Sequence, residues 1–257
     1  MNMPLGISTI CVFGKAFSSL DAILATGIEV LEILDDWEDR LDAKRIRMLR
    51  EIKGSSRIAF TVHSPLIDVN IASVNSMLKE TSLKIIKTSI DHARAIDANL
   101  VVVHPGNFTP MDNIPLAEHW DLNRESLRRI ISHAEDLGVK IGVENMPRNT
   151  FGLLQNAAEF KKLVDEGLPI RMTLDVGHAN TTSQLGPLLE MSDLVAHVHL
   201  HDNRGLTDEH MPVGDGTVDW KLIRSKIDLG KVSAVVEARN VEEAKASVER
   251  VRSLYSS

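Results

Sequence analysis

The sequence is poor in cysteine, in aromatic residues and in positive charge. It has one cysteine, Cys11, among 257 residues, so it can form no internal disulfide and we expect a reducing, cytoplasmic setting. Aromatic residues make up 4% of the chain, which leaves little material for base-stacking surfaces. The net charge is −7, which argues against a protein whose main role is to coat nucleic acid.

Long apolar runs and targeting signals are also lacking. The longest largely apolar runs, at 98–103 and 232–236, end well before the ~20 residues that a membrane helix needs. The first residues contain no basic region followed by a long apolar stretch, so we expect no signal peptide. The sequence therefore predicts no association with a membrane.

What the sequence does have is an alternation of short apolar runs and amphipathic segments from end to end. We predict strands at 5–10, 28–34, 57–63, 100–104, 140–144, 171–175, 196–201 and 233–237. We predict helices at 19–26, 43–52, 74–96, 124–137, 157–166, 185–191, 220–227 and 241–254. Asn123 and Asp219 are typical N-caps for two of these helices, and Gly138 is a typical residue to end one.

Eight strands that are each followed by a helix predict parallel strand pairing. A length of 257 residues suits one closed (β/α)8 barrel, a TIM barrel, which typically needs roughly 250 residues. An open doubly wound sheet is the alternative, but such a sheet favours a Gly-rich phosphate loop after its first strand and the chain has none there. Nothing in the sequence resembles a linker, so we predict an α/β protein with a single domain over 1–257.

Polar side chains gather where the predicted strands end. Six strands in succession, the third to the eighth, have a histidine or a carboxylate at or next to their C-terminal end, which is where barrel active sites are built. The residues concerned are His63, His104, Glu144, Asp175, His178, His199, Glu237, and, in the loop after the seventh strand, Asp208 and His210. The other histidines at this end are His197 and His201, whereas His92, His119 and His133 lie in or beside helices and are expected at the surface.

Nine acids and imidazoles on one face would repel one another or stay unsatisfied without a cation. A mixed His, Asp and Glu set without cysteine suits zinc, manganese or cobalt better than calcium, which prefers oxygen ligands. The set is larger than one catalytic zinc requires. The residues alone therefore leave two interpretations open: a cluster of ions, or one ion with the other groups binding substrate and moving protons.

The chain resembles the xylose isomerase-like barrel superfamily, which includes endonuclease IV and the sugar-phosphate isomerases and epimerases. The resemblance covers almost the whole chain and rests on HSPLIDVN, VVHPGN, VENM, LDVGHAN, HVHLHDN, DEHMPVGDGTVDW and VEAR. The similarity to endonuclease IV implies three zinc ions. It implies as ligands His63, His104, Glu144, Asp175, His178, His199, Asp208, His210 and Glu237.

The epimerase and isomerase branch implies a smaller site with one manganese-like ion. Its ligands would be Glu144, Asp175, His199 and Glu237. The same resemblance implies that His178 and Arg204 would contact substrate oxygens, although the spacing before Arg204 is one residue shorter than the branch's pattern. From their positions after strands, we also expect Glu32 to hydrogen-bond a sugar hydroxyl and Asn107 to line the pocket.

Two functions follow, and the segments HDNRG and PVGDGTVDW favour the first because they resemble the epimerase branch. It is a metal-dependent sugar or sugar-phosphate isomerase or epimerase, in which Glu144 and Glu237 transfer a proton through an enediolate-like intermediate. The alternative is an abasic-site phosphodiesterase acting on DNA with three zinc ions. A barrel that binds metal without turnover is a third interpretation. A homodimer fits the resemblance, but no interface is apparent in the sequence.

DNA binding is disfavoured by two segments. Residues 64–67 lack the tyrosine that the endonuclease resemblance implies at a base-prying position. Residues 35–39, with three aspartates and Glu38, are acidic where phosphates would have to lie. We therefore expect a small sugar as substrate rather than a nucleic acid.

Overall fold

The computed structural model of the chain describes residues 3–148 and 150–256. Within these residues eight parallel strands pair in chain order, and the last pairs with the first to close a barrel. The strands are β1 (Leu5–Ser8), β2 (Val30–Leu34), β3 (Ala59–His63), β4 (Leu100–Val103), β5 (Lys140–Glu144), β6 (Met172–Asp175), β7 (Val195–Leu200) and β8 (Ser233–Val236). The predicted single (β/α)8 barrel is confirmed.

Helices connect successive strands, as parallel pairing requires. They are α1 (Ala16–Leu24), α2 (Ala43–Ser55), α3 (Ser76–Ala95), α4 (Leu116–Leu137), α5 (Ala157–Asp165), α6 (Val176–Thr181), α7 (Leu185–Leu189), α8 (Trp220–Lys226) and α9 (Val241–Ser256). Short 3-10 helices lie at Thr9–Val12, Trp37–Asp39 and Ser192–Leu194. Among the described residues, no helix has both the length and the apolar character to cross a bilayer.

The strands are short, apolar and buried on both faces. All four residues of β4, Leu-Val-Val-Val, are buried, as expected when helices cover the outside of a barrel and side chains fill its inside. Strand register then decides which polar groups become neighbours: Asp175 pairs with His199, and His199 pairs with Val235. The polar strand ends therefore meet at one mouth of the barrel.

Helix α4 begins earlier than its predicted start at residue 124. It starts at Leu116, directly after Pro115, and Asn123 lies in its interior. The Asn123 side chain, expected to cap the helix, is fully buried and instead accepts a hydrogen bond from Gly106 N. Asn123 was therefore mistaken for an N-cap because the sequence does not show that its side chain binds the distant amide of Gly106. The other two predicted caps are confirmed, with Asp219 accepting from Leu222 N and Gly138 in the left-handed conformation.

Helix α6 was not predicted, because its residues belong to the LDVGHAN segment and show no apolar periodicity. It follows β6 without a loop, and the Asp175 carboxylate accepts a hydrogen bond from His178 N at 2.6 Å. Gly177 is required there because a Cβ atom would lie 2.0 Å from the His201 ring. The short helix thus brings His178 to the mouth of the barrel.

Candidate metal centre

Three neighbouring groups of His, Asp and Glu side chains lie at the mouth of the barrel. Within each group the candidate ligand atoms are within 4.8 Å of one another. The first group is His63, His104 and Glu144; the central group is Asp175, His199 and Glu237; the third group is His178, His201, Asp208 and His210. Together they contain the nine side chains selected from the sequence, with His201 as an addition.

Glu144, the last residue of β5, connects the three groups. Its Oε2 lies 3.3 Å from His63 Nε2 and 3.0 Å from His104 Nε2, and its Oε1 lies 3.2 Å from His199 Nδ1 and 3.4 Å from His178 Nδ1. Burial alone raises the pKa of a carboxyl group. Here the imidazoles of His199 and His104 nevertheless hold the pKa of Glu144 well below its usual value. Glu144 is therefore held as an anion among several imidazoles.

The central group is arranged around one nitrogen of His199. His199 Nδ1 lies 3.4 Å from Glu237 Oε1 and 3.7 Å from Asp175 Oδ2, in addition to its contact with Glu144. Ligand atoms on one tetrahedral zinc ion, with bonds of about 2.0–2.1 Å, are about 3.3 Å apart. The spacing of these atoms therefore fits a divalent ion with little rearrangement.

Glu32 lies beneath this group, deeper in the barrel than the position expected for a substrate contact. Its side chain is fully buried, with Oε1 3.2 Å from His199 Nε2 and Oε2 3.1 Å from His197 Nε2. Thr61 Oγ1 donates a hydrogen bond to Oε2. The carboxylate thus faces the inner nitrogens of two histidines, and the predicted contact of Glu32 with a sugar hydroxyl stays a prediction.

The third group joins α6, the end of β7 and the loop that follows it. Asp208 Oδ2 lies 3.1 Å from His178 Nε2 and 3.0 Å from His210 Nε2. His201 Nε2 lies 3.0 Å from Asp175 Oδ1 and 3.6 Å from Asp208 Oδ1. The rings of His201 and His210 stack with centroids 4.2 Å apart.

Carboxylates decide the charge of these histidines. Burial alone lowers the pKa of an imidazole, but Asp175 and Asp208 raise the pKa of His178 to about 10. Asp175 likewise raises the pKa of His201 to about 9 against the effect of burial. In turn, although burial opposes it, His178 and His210 hold the pKa of Asp208 below its ordinary value. In the metal-free protein the protons on these imidazoles supply the positive charge that a divalent cation would otherwise supply beside the carboxylates.

Asp202 organises the loop that carries Asp208 and His210. Its carboxylate is fully buried and accepts hydrogen bonds from Asn203 N, Gly214 N, Val218 N and Trp220 Nε1. Gly216 is needed beside it because a Cβ atom would lie 2.2 Å from Asp202 Oδ1. The amide of Gly214 therefore serves the protein's own carboxylate. These contacts tie both ends of the loop to β7.

Two further residues expected to contact substrate lie at the edge of the mouth. The Arg204 side chain is 66% exposed and forms an ion pair with Glu209 at 2.6 Å. This pairing leaves the predicted substrate contact of Arg204 without support in the observed loop conformation. Asn107 is exposed and its backbone bridges to Gly152, so its role in lining the pocket stays a prediction.

The acidic segment 35–39 does not present its aspartates to a ligand. Asp35, Asp36 and Asp39 are buried, and each accepts hydrogen bonds from backbone N–H groups of adjacent segments. Glu38 and Trp37 are the exposed members of this segment. The three aspartates therefore serve the backbone of the barrel mouth, and the expected repulsion of phosphates by this segment stays a prediction.

One of the histidines expected at the surface is buried. His119 is fully buried in α4, where its Nδ1 donates to Ala72 O and its Nε2 accepts from Thr109 N. His92 and His133 are partly exposed and pair with Asp35 and Asp91. The early start of α4 explains the difference for His119, because it turns this residue toward the barrel.

Fold and site together define a TIM barrel with a His- and carboxylate-rich mouth that could hold divalent ions. The chain belongs to the xylose isomerase-like TIM barrel family, whose sequence model matches residues 20–255. A solved structure described as a D-tagatose 3-epimerase-like protein superimposes with a TM-score of 0.90. It is 28% identical, and the match covers 99% of this chain and 97% of that one.

Relatives of several kinds are similar in sequence. An uncharacterized protein of Methanocaldococcus jannaschii is 30% identical over 97% of this chain and 88% of its own. Fructoselysine 3-epimerase of Shigella flexneri is 24% identical over 73% of this chain and 69% of its own. A probable endonuclease 4 of Halothermothrix orenii is 25% identical over 85% of this chain and 86% of its own. The two activities inferred from the sequence thus both occur among the names of its relatives.

Proposed function

We propose that the protein is a divalent-metal-dependent isomerase or epimerase of a sugar or sugar phosphate. Glu144, Asp175, His199 and Glu237 hold the ion at the mouth of the barrel, and manganese or zinc suits these ligands. When bound, the ion polarises a carbonyl group and so makes the hydrogen on the neighbouring carbon more acidic. The similarity to an epimerase-like structure supports this reaction class.

One observation carries the proposal: two buried carboxylates from different strands face the same nitrogen. Glu144 ends β5 and Glu237 directly follows β8, and they lie 3.2 Å and 3.4 Å from His199 Nδ1. They are 1% and 4% exposed. Epimerisation needs one group that removes a proton from carbon and another that returns it from the other face. Glu144 and Glu237 supply such a pair.

The surroundings of the pair support proton transfer. Glu144 is held as an anion by His199 and His104, which is the charge state that a carboxylate base requires. Because both carboxylates are buried, little bulk water competes with the substrate for that proton. Their separate strands hold them on a rigid part of the fold.

The test is hydrogen exchange into ketoses and ketose phosphates in deuterated water, with the manganese- or zinc-loaded protein. We expect deuterium at the carbon next to the carbonyl, and a loss of about 10²–10⁴-fold in Glu144→Gln. The same loss is expected in Glu237→Gln. Metal content per chain, measured by mass spectrometry, separates a lost base from a lost ligand.

Glu29→Gln is the matched control, since Glu29 precedes β2 at the opposite end of the barrel and pairs with Arg252. It should exchange deuterium at the rate of the unchanged protein. An unchanged rate in both Glu144→Gln and Glu237→Gln would contradict the proposed role of the pair.

A second candidate function, an abasic-site phosphodiesterase, is favoured by the first group. His63 and His104 both contact Glu144 and make a metal site beyond the one that epimerisation requires. Metal-dependent nicking of an abasic duplex, abolished by His63→Ala, would establish this function and overturn the sugar proposal if no ketose exchanges.

A further inference from the structure

We propose that Trp37 packs against a second sugar ring of the substrate, which is then a ketose linked to another sugar rather than a free ketose. The proposal rests on the proposed function for the chemistry at the metal centre and adds to it the class of substrate. Three features of the segment around Trp37 carry it: the exposure of the side chain, the conformation of its backbone, and the contacts that hold both in place.

Trp37 is a large apolar side chain that the fold leaves in solvent. It begins the 3-10 helix Trp37–Asp39 after β2 and is 61% exposed. By contrast, Trp120 is buried, and Trp220 is half-buried with its Nε1 bonded to Asp202. A single exposed apolar residue is common at a protein surface, so exposure alone does not indicate a function. The backbone at this position supplies the second observation.

Trp37 has an unfavourable backbone conformation. Its φ is 44°, in the left-handed region that residues with a Cβ atom adopt only at a cost. Such a conformation persists where the surrounding structure enforces it, and residues of this kind are concentrated at sites that bind ligands. A relaxed backbone would be expected if this residue only connected β2 to α2.

Two buried carboxylates enforce this conformation. Asp36 Oδ1 accepts a hydrogen bond from Trp37 N at 2.7 Å, and its Oδ2 accepts from both N–H groups of residues 66–67 in the loop after β3. The Asp39 carboxylate accepts from two N–H groups within residues 14–16, where α1 begins. Burial of a carboxylate costs free energy, which these hydrogen bonds offset. The segment is therefore fixed to the loops on both sides, with Trp37 directed outward.

The indole ring is supported by two neighbouring residues. Its centroid lies 5.6 Å from that of the Phe13 ring, and the two planes are tilted by 41°. Gly14 lies against the same ring, because a Cβ atom at this residue would be 2.9 Å from Trp37 Cζ3. A ring that is already held in this way loses little further freedom when a ligand packs against it. The segment thus presents a preorganised aromatic surface.

This surface lies across the mouth from the proposed metal ligands. The four ligands are carried by β5–β8, and β2 lies opposite β6 in the closed ring of strands. Leu34, the last residue of β2, pairs with His63 of the first group. Trp37 follows Leu34 by three residues, or at most about 10 Å of extended chain. A group attached to a ketose at the central site can therefore extend toward Trp37 at the edge of the mouth.

The exposed groups at this edge suit a neutral sugar. A sugar ring has an apolar face of C–H groups, against which an indole ring can pack, and hydroxyl groups at its edge that can donate to a carboxylate. Trp37 offers the first contact, and the exposed Glu38 beside it offers the second. The charge of Glu38 disfavours a phosphate group at the same position. We therefore assign the second ring to a neutral sugar.

The first measurement is binding, which needs no turnover. Calorimetric titration of the manganese-loaded protein compares D-fructose with lactulose, maltulose and isomaltulose, three disaccharides that keep a free ketose end. We expect at least one disaccharide to bind about tenfold more tightly than fructose, and Trp37→Ala to remove this advantage. Trp37→Phe keeps an aromatic ring and should retain part of it. Equal affinities, or an advantage that survives Trp37→Ala, would overturn the proposal.

Acrylamide quenching of tryptophan fluorescence gives a second readout on the unchanged protein. Emission from the exposed Trp37 should be quenched most, and Trp37→Phe identifies its share. A bound disaccharide should shield this emission, whereas fructose should not. Val164→Ala is the matched control, because Val164 is an exposed apolar residue near the end of α5, away from the mouth. It should keep both the shielding and the ratio of affinities.

The failure of this proposal and that of the proposed function are distinguishable. A disaccharide preference that depends on Trp37, without deuterium exchange into any ketose, would retain this proposal and reject the proposed reaction. Exchange into free ketoses without such a preference would do the reverse. Shielding of Trp37 by an abasic duplex but by no disaccharide would overturn the proposal in favour of a nucleic acid.

Discussion

The Glu32 carboxylate contacts two buried histidines, His197 and His199. Its Oε1 lies 3.2 Å from His199 Nε2, while His199 Nδ1 faces Asp175 and Glu237 of the central group. For Nδ1 to bind an ion, the ring proton must be on Nε2, and a carboxylate at that nitrogen favours this tautomer and raises the basicity of the ligand. We therefore propose Glu32 as a positioning residue for the proposed metal site.

We expect Glu32→Gln to lower the affinity of the central group for Mn²⁺ or Zn²⁺ by about 10–100-fold. The change keeps the size of the side chain but removes the charge opposite His199 Nε2. The measurement is competition with a metal-binding dye at pH 7. Glu29→Gln, the same change before β2 begins, should bind as the unchanged protein does, and equal affinities in the two variants would contradict this role.

At the scale of the element, the loop after β7 depends on one buried carboxylate. Asp202 accepts four hydrogen bonds from the loop and from Trp220. The two oxygens of Asp202 are buried. If the loop moved away, these oxygens would lose their hydrogen-bond partners without gaining water, which costs free energy. Asp202 thus joins positions 203, 214, 218 and 220 of the chain through one side chain.

Asp202→Asn should destabilise the protein by about 2–4 kcal/mol, since an amide nitrogen replaces one oxygen and faces buried N–H groups, each of which costs about 1–3 kcal/mol when unsatisfied. Urea unfolding of the metal-free protein gives this value. Trypsin should also cleave faster after Arg204. A loss below 0.5 kcal/mol, in the ~±0.5 kcal/mol range of ordinary surface changes, would show that Asp202 does not organise the loop.

At the scale of the whole molecule, the mouth makes the stability of the metal-free protein depend on pH. The pKa values of His178 and His201 are raised from 6.5 to about 10 and about 9. Stabilisation from such groups is fully present below pH 6.5 and is lost as the pH rises through 9–10. The lowered pKa values of Asp175 and Asp208 contribute above pH 3.8 and are lost as the pH falls below it.

We therefore expect the Tm of the EDTA-treated protein to be highest between about pH 4 and 6.5 and to fall as the pH rises toward 9. With saturating zinc this fall should be much smaller, because the ion replaces the protons on the imidazoles. Differential scanning fluorimetry over pH 5–9 measures both curves. A metal-free Tm that rises between pH 6.5 and 9 would contradict the assigned charges.

Much of the barrel could be predicted, because each strand and most helices have a local signature. The run VVV of β4 and the ends VHSP and VVHPG indicate buried strands followed by polar groups without any knowledge of neighbours. The misplaced start of α4 and the missed helix α6 have one cause. In both, residues that serve distant partners, such as Asn123 and His178, conceal the local helical signal.

The sequence by itself determined the order of the strands and the gathering of nine acids and imidazoles at their ends, since strand period and chain order decide both. Only the tertiary structure decided which of these groups meet. Glu32 lies under His199 and His201 joins the third group because of strand register and ring packing. The three aspartates of segment 35–39 are buried because neighbouring segments of the fold place backbone N–H groups against them. Such contacts join residues far apart in the chain, and no local pattern encodes them.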